Sequence, residues 1–220
     1  MNPPTSNKPD AAAVLSAERE ITCKSLGDPP SRKPRRAFDR EAGVLVAKNL
    51  FHERGYDAVG IAELTRALGI NPPSLYAAYG SKAGLFERCL AIYVKEANLP
   101  ADKLLTPDRP LADGIKDLFL HAATLYAKSK TKRGCMAAEG MRSADPQARA
   151  LASAHGDAAA SFVERYISLT HPQRARELAD YVVTTLQGLS AAARAGLSKA
   201  RLMSVAKLAG HAFETFLHTV

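Results

Sequence analysis

Glycine, isoleucine, asparagine and two prolines follow one another at residues 69–73, and helical patterning runs up to this break and resumes beyond it. Upstream, Ile61, Leu64, Ala67 and Leu68 stand at i, i+3, i+6 and i+7, a spacing that predicts a helix over 61–68. Gly69 readily takes the left-handed conformation that closes a helix. Asn71 then suits an N-cap, and Pro72 suits the first helical position, where an amide would have no intrahelical partner. Pro73 is tolerated in the same turn. Leu75 and Tyr79 form an inward i, i+4 pair, with Pro73, Ser74, Tyr76, Ala77 and Ala78 directed outward. Two short helices at a glycine turn make a helix-turn-helix, whose second helix would enter a DNA major groove. An ordinary helical hairpin in an all-α core has the same spacing, so the flanking residues must decide.

Those flanks read F-D-R-E at 38–41, L-F-H-E-R-G-Y at 50–56 and G-S-K-A-G-L-F at 80–86. Together, residues 38–86 resemble the DNA-binding domain of TetR-family transcriptional regulators, particularly those with a G-I-N-P-P-S-L-Y-A-A-Y/F-G-S-K core. The resemblance implies a homodimer on a double-stranded, palindromic DNA operator. It carries base contact onto Pro72, Pro73, Ser74 and Ala77, with Asn71 as cap and further base reader, and backbone contact onto Tyr76 and Lys82. Apolar Pro and Ala favour thymine methyls but offer no bidentate base pairing. The chain departs from the commoner pattern at Gly60, where Thr or Ser often caps the second helix and holds phosphate. Gly60 keeps its amides accessible and loses the hydroxyl; Ala62 also lacks a polar side chain.

A formal charge of +8 suits a polyanionic partner, since each cation set against a phosphate releases a condensed counterion. Cys23, Cys89 and Cys135 form no C-x-x-C pair, which argues against a disulfide framework or a cysteine zinc site. No apolar run is long enough to span a membrane, and no secretory signal opens the chain, so a cytoplasmic protein is expected. Gly-rich phosphate loops and hydrolase or metalloprotease motifs are missing from the sequence; no cofactor, metal or catalytic role is expected.

Proline density over residues 1–34 predicts a disordered extension ending in R-K-P-R-R, 32–36. Arg36, and Arg40 just inside the first helix, are candidate phosphate contacts; a solvated charge run is the competing reading. Residues 35–81 form the expected DNA-binding domain, beginning with a helix over 38–54. Ser81 should cap a fourth helix from Lys82 to about Ala97, where the lysine and the helix N-terminus could hold a phosphate. Three prolines over 99–110 predict a boundary. Beyond it, helices are expected over 111–128, 146–169, 172–195 and 198–218, with a short segment at 136–141, making residues 82–220 an all-α ligand-binding and dimerisation domain.

By resemblance, the last two helices pair with their copies in a second subunit; small residues such as Gly188, Ala191, Ala192, Ala209 and Gly210 permit close approach. A cavity inside the body is likewise implied, for an apolar or aromatic small molecule. Its candidate lining is Phe119, Tyr126, Cys135, Met136, Met141, Phe162, Tyr166, Tyr181 and Thr185, although Met and aromatic residues at helical spacing also fit a packed core. Cys135 follows Lys132 and Arg133, which fits either a stabilised thiolate sensor or a small buried cysteine. The sequence therefore points to a ligand-responsive transcriptional regulator, a repressor. Two alternatives stand beside it: a helical small-molecule-binding protein or enzyme with a vestigial helix-turn-helix, and a nonspecific DNA-binding protein.

Overall fold

Asp39 opens the first helix: its carboxylate accepts the Glu41 and Ala42 amides at 3.0 and 3.1 Å, so the helix begins at Arg40 and not at Phe38. The computed structural model describes Met1 and residues 38–96 and 99–218. The extension with Arg36 and Cys23, and the expected helix end at Ala97, lie outside the described residues.

Among the described residues ten α-helices follow in order: α1 (Arg40–Arg54), α2 (Ile61–Leu68), α3 (Pro72–Tyr79), α4 (Lys82–Glu96), α5 (Ala101–Leu104), α6 (Leu111–Tyr126), α7 (Met136–Gly140), α8 (Pro146–Ser168), α9 (Ala175–Arg194) and α10 (Lys199–His218). The proline-rich boundary contains α5, because Leu104 and Leu105 bury themselves against the body. Pro172 opens a 3-10 turn, Pro172–Arg174, and α9 proper starts only at Ala175. Among the described residues no strand occurs, and no helix is long and apolar enough to cross a membrane.

The helix-turn-helix closes as its turn residues require. Gly69 sits at φ 65°, ψ 28°, and the Ile70 amide reaches back to the Thr65 carbonyl at 3.1 Å. Two side chains differ from the pattern read above. Thr65 is buried and Ala67 exposed: at 100° per residue Thr65 lies about 40° around the helix from Ile61, whereas Ala67 lies about 120° from it on the other side. Burial of Thr65 is satisfied by its hydroxyl, which donates to the Ala62 carbonyl at 3.2 Å. Ala78 is buried as well, completing an i, i+3, i+4 stripe with Leu75 and Tyr79.

Val44, Phe51, Leu64, Leu75, Tyr79, Phe86 and Leu90 form the core of the N-terminal head. Phe51 stacks on Tyr56, and Phe86 meets both edge-on, with ring centroids 5.2 and 4.9 Å away. That core continues into Met136 of α7 and Ala148 and Ala152 of α8. A second core surrounds α6, where Ile115, Leu118 and Phe119 meet Val182 and Leu189 of α9 and Ala206 and Phe213 of α10. Phe38–Val220 is one compact unit, so no gap in packing falls at the expected division between residues 81 and 82.

Candidate nucleic-acid interface

The start of α3 is built from groups that consume their own hydrogen-bonding capacity. Asn71 is extended, at φ −91° and ψ 164°, and its Oδ1 accepts the Ser74 amide at 2.9 Å. Pro72 and Pro73 have no amide hydrogen, and the Leu75 amide donates to the Asn71 carbonyl at 3.1 Å. Leu75, Ala78 and Tyr79 anchor the helix, the Tyr79 hydroxyl donating to the Arg40 carbonyl at 2.9 Å. Asn71, Pro72, Pro73, Ser74, Tyr76 and Ala77 are all exposed on the opposite side. These are the residues expected to meet DNA, and the structure brings them together on one surface.

Around that surface, Gly60 caps α2 without any side-chain bond, and the space a Cβ would occupy there is open. Arg40 is exposed. Lys82 is more constrained than its position suggests, because its ammonium lies 3.9 Å from the centroid of the Tyr56 ring. Burial lowers its pKa, and the nearby Asp57 and Asp145 carboxylates oppose that shift. Ser81 caps α4 through the Gly84 amide at 2.9 Å.

Two sets of polar contacts tie this head to the body. On one side the Asp57 carboxylate accepts from the Ser143 hydroxyl at 2.6 Å and the Ala144 amide at 2.9 Å, while the Tyr56 hydroxyl donates to Asp145 at 3.3 Å. The Ser143 bond, foremost, holds the Asp57 pKa below the usual carboxylate value. On the other side His52 Nε2 lies 3.1 Å from the Gly134 carbonyl, and Arg194 donates to the His52 carbonyl at 2.9 Å. The Cys135 amide donates to the buried Ser190 hydroxyl at 2.8 Å. Burial lowers the His52 pKa against the opposing Gly134 hydrogen bond, and Arg194, Lys132 and Lys48 lower it further. Short loops at 55–60 and 132–135, which no periodicity marks, thus connect α1 and α2 to the segment between α7 and α8 and to α9.

A cavity of about 520 Å3 opens next to the second set of contacts, between α4, α6, α7, α8 and α9. Tyr126, Cys135, Met141 and Phe162 line it, as expected from the sequence. Five other expected residues lie elsewhere. Phe119 is fully buried in the α6 core beside Tyr181, and Tyr181 packs against Phe213 and Phe216 and donates to the Ala209 carbonyl. Met136 is buried in the head core, and the Tyr166 hydroxyl points to the Thr106 and Arg109 carbonyls. Thr185 borders a separate groove between α9 and α10. Tyr93, Gly156, Ala159 and Gln187 line the cavity without having been expected there. The small residues Gly156, Ala158 and Ala159 were the signal on the α8 side, because missing side-chain volume leaves a cavity open; nothing in the sequence marked Tyr93 or Gln187. Cys89, by contrast, is a fully buried thiol whose pKa burial pushes up to about 12.

The groove near Thr185 is lined by Gly188, Leu189, Ala192, Leu197, Val205 and Ala209, among others. Val205, Leu208 and Phe216 stand 45, 69 and 43% exposed along α10, the largest apolar groups left uncovered on that helix.

Comparison with known proteins adds a lineage to this geometry. Residues 44–89 match the family described as bacterial regulatory proteins, tetR family. The transcriptional repressor BdcR of Escherichia coli strain K12 is 46% identical over 185 residues, spanning 84% of this chain and 93% of BdcR. ComR, a transcriptional repressor of the same strain, is 28% identical over 80% of this chain and 89% of its own. Among solved structures, a cysteine-substituted form of the TetR-family regulator CifR, complexed with 26-base-pair double-strand operator DNA, is 30% identical. It aligns with a TM-score of 0.71 over 82% of this chain and 99% of that one.

Proposed function

Because this chain belongs to the TetR family of bacterial regulatory proteins, we propose that it is a repressor that holds a palindromic operator as a homodimer and releases it when a small molecule fills the body cavity. The observation that carries this reading is the exposed, rigidly capped surface of α3, from Asn71 to Ala77, backed by the buried anchor of Leu75, Ala78 and Tyr79. Tyr76 and Lys82 flank it as phosphate contacts, and Gly60 leaves the α2 N-terminus open to the backbone.

Dimerisation falls to α9 and α10. The α10 apolar groups Val205, Leu208 and Phe216 require a cover, and a two-fold partner would space two α3 helices one DNA turn apart. The effector is apolar or aromatic, since apolar side chains such as Met141 and Phe162 and the Tyr126 ring make up most of the cavity lining, with Tyr93, Asp102, His155 and Gln187 among its polar members. An occupant that prefers one arrangement of α4, α7 and α9 would shift the head through the 132–135 loop and weaken operator binding. The site of action is the cytoplasm, where the DNA lies.

Selection of bound sequences from a random duplex pool at near-physiological salt tests the DNA reading. Wild-type protein should recover a palindrome that Tyr76→Ala combined with Lys82→Ala loses. Recovery of no enriched sequence would favour the nonspecific or vestigial alternatives.

A further inference from the structure

The exposed end of α3 offers almost nothing that can pair with a base edge. Its eight residues, P-P-S-L-Y-A-A-Y, carry no charge. Pro72 and Pro73 lack amide hydrogens, and the Ser74 and Leu75 amides are committed to Asn71. Asn71 Oδ1 already accepts the Ser74 amide, so pairing of its amide with adenine would have to share that oxygen with the cap and follow the orientation the cap imposes. What remains is two proline rings, the Ala77 methyl, two hydroxyls and the Asn71 amide nitrogen.

Major-groove features differ in what can read them. Purine N7, O6 and N6 groups are best read by bidentate donors or free amides, and the one amide on this surface, Asn71, is engaged by the cap, whereas the C5-methyl of thymine is recognised by apolar contact. The Ser74 hydroxyl donates and accepts equally well, so it tolerates either the O4 acceptor of thymine or the N4 amino donor of cytosine next to that methyl. We propose that this protein reads its operator through C5-methyl groups presented to Pro72, Pro73 and Ala77, so that 5-methylcytosine substitutes for thymine at the contacted positions. Cytosine methylation within a near-match sequence would then create a binding site. This inference rests on the reading that α3 enters the major groove.

The test uses full-length protein and the duplex selected from an ordinary thymine-containing random pool. Each selected thymine is replaced singly by uracil, by cytosine and by 5-methylcytosine, with the paired base adjusted, and affinities are measured by fluorescence anisotropy. At the contacted positions uracil should weaken binding about 4-fold, the worth of one buried methyl, and 5-methylcytosine should bind about 4-fold tighter than cytosine. Pro73→Ala, which keeps a residue competent to start the helix, should shrink the thymine–uracil difference at one position in each half-site. Uracil equal to thymine at every selected position would overturn the proposal. So would a uracil penalty with no gain from 5-methylcytosine over cytosine, which would assign the effect to groove shape. If the thymine pool itself enriches no sequence, the operator reading fails and this proposal fails with it.

Discussion

Replacing Gly134 with alanine strikes the loop that joins the head to the body, and the structure fixes how costly that is. Gly134 sits at φ 71°, where an L side chain costs about 1–2 kcal/mol. A Cβ there would lie 2.7 Å from the Ser190 carbonyl oxygen and 2.8 Å from Arg194 Cγ. The carbonyl belongs to the α9 backbone and cannot swing aside as a side-chain tip would, so overpacking adds about 1–3 kcal/mol. Gly134→Ala should therefore cost about 2–5 kcal/mol. In a fold of this size that lowers the melting temperature by about 4–20 °C. Gly69→Ala is the control: its φ of 65° is equally left-handed, but nothing lies within 4 Å of the added carbon, so it should cost only the conformational share. Thermal unfolding followed by far-ultraviolet circular dichroism, at one fixed protomer concentration, reads both. A Gly134→Ala protein no less stable than Gly69→Ala would refute the reasoning.

Asn71→Ala removes the acceptor of the Ser74 amide and should cost about 1 kcal/mol, visible as a lower urea midpoint with an unchanged slope. Gly60→Ser fits the open space at the α2 N-cap; it should stabilise by about 0.3 kcal/mol and tighten DNA binding several-fold at low salt through the restored hydroxyl. His52 has a folded pKa below its ordinary 6.5, so the unfolded chain binds its proton first as pH falls. The stability tied to its neutral form is present above 6.5 and is lost as pH falls through the folded pKa; urea titrations at pH 7 and pH 5 should show a smaller difference for His52→Gln than for wild type.

The helix-turn-helix was legible because its signals are local. Gly69, Asn71, Pro72 and Pro73 each impose a backbone conformation on themselves or a neighbour, and all four do so in the structure. Ala67 and Ala78 were misplaced because alanine is small enough to suit either face, so its burial follows from helix phase and not from its own hydrophobicity. Most of the cavity lining escaped for a different reason. Phe119, Met136 and Tyr166 look like ligand contacts by chemistry, yet large apolar side chains fill space, and the open volume lies beside Gly156, Ala158 and Ala159. The ties from Asp57 to Ser143 and from His52 to Gly134 join residues more than 80 positions apart, a pairing that no local pattern encodes.

The central claim is that the α3 surface distinguishes one DNA sequence from others. The most direct measurement is the affinity ratio between the selected palindrome and a scrambled duplex of equal length, titrated by fluorescence anisotropy at one near-physiological salt concentration. The account predicts a ratio of about 1,000 or more that collapses in Tyr76→Ala combined with Lys82→Ala. A ratio below about 10, unchanged by those substitutions, would contradict it and leave only sequence-independent attraction to phosphate.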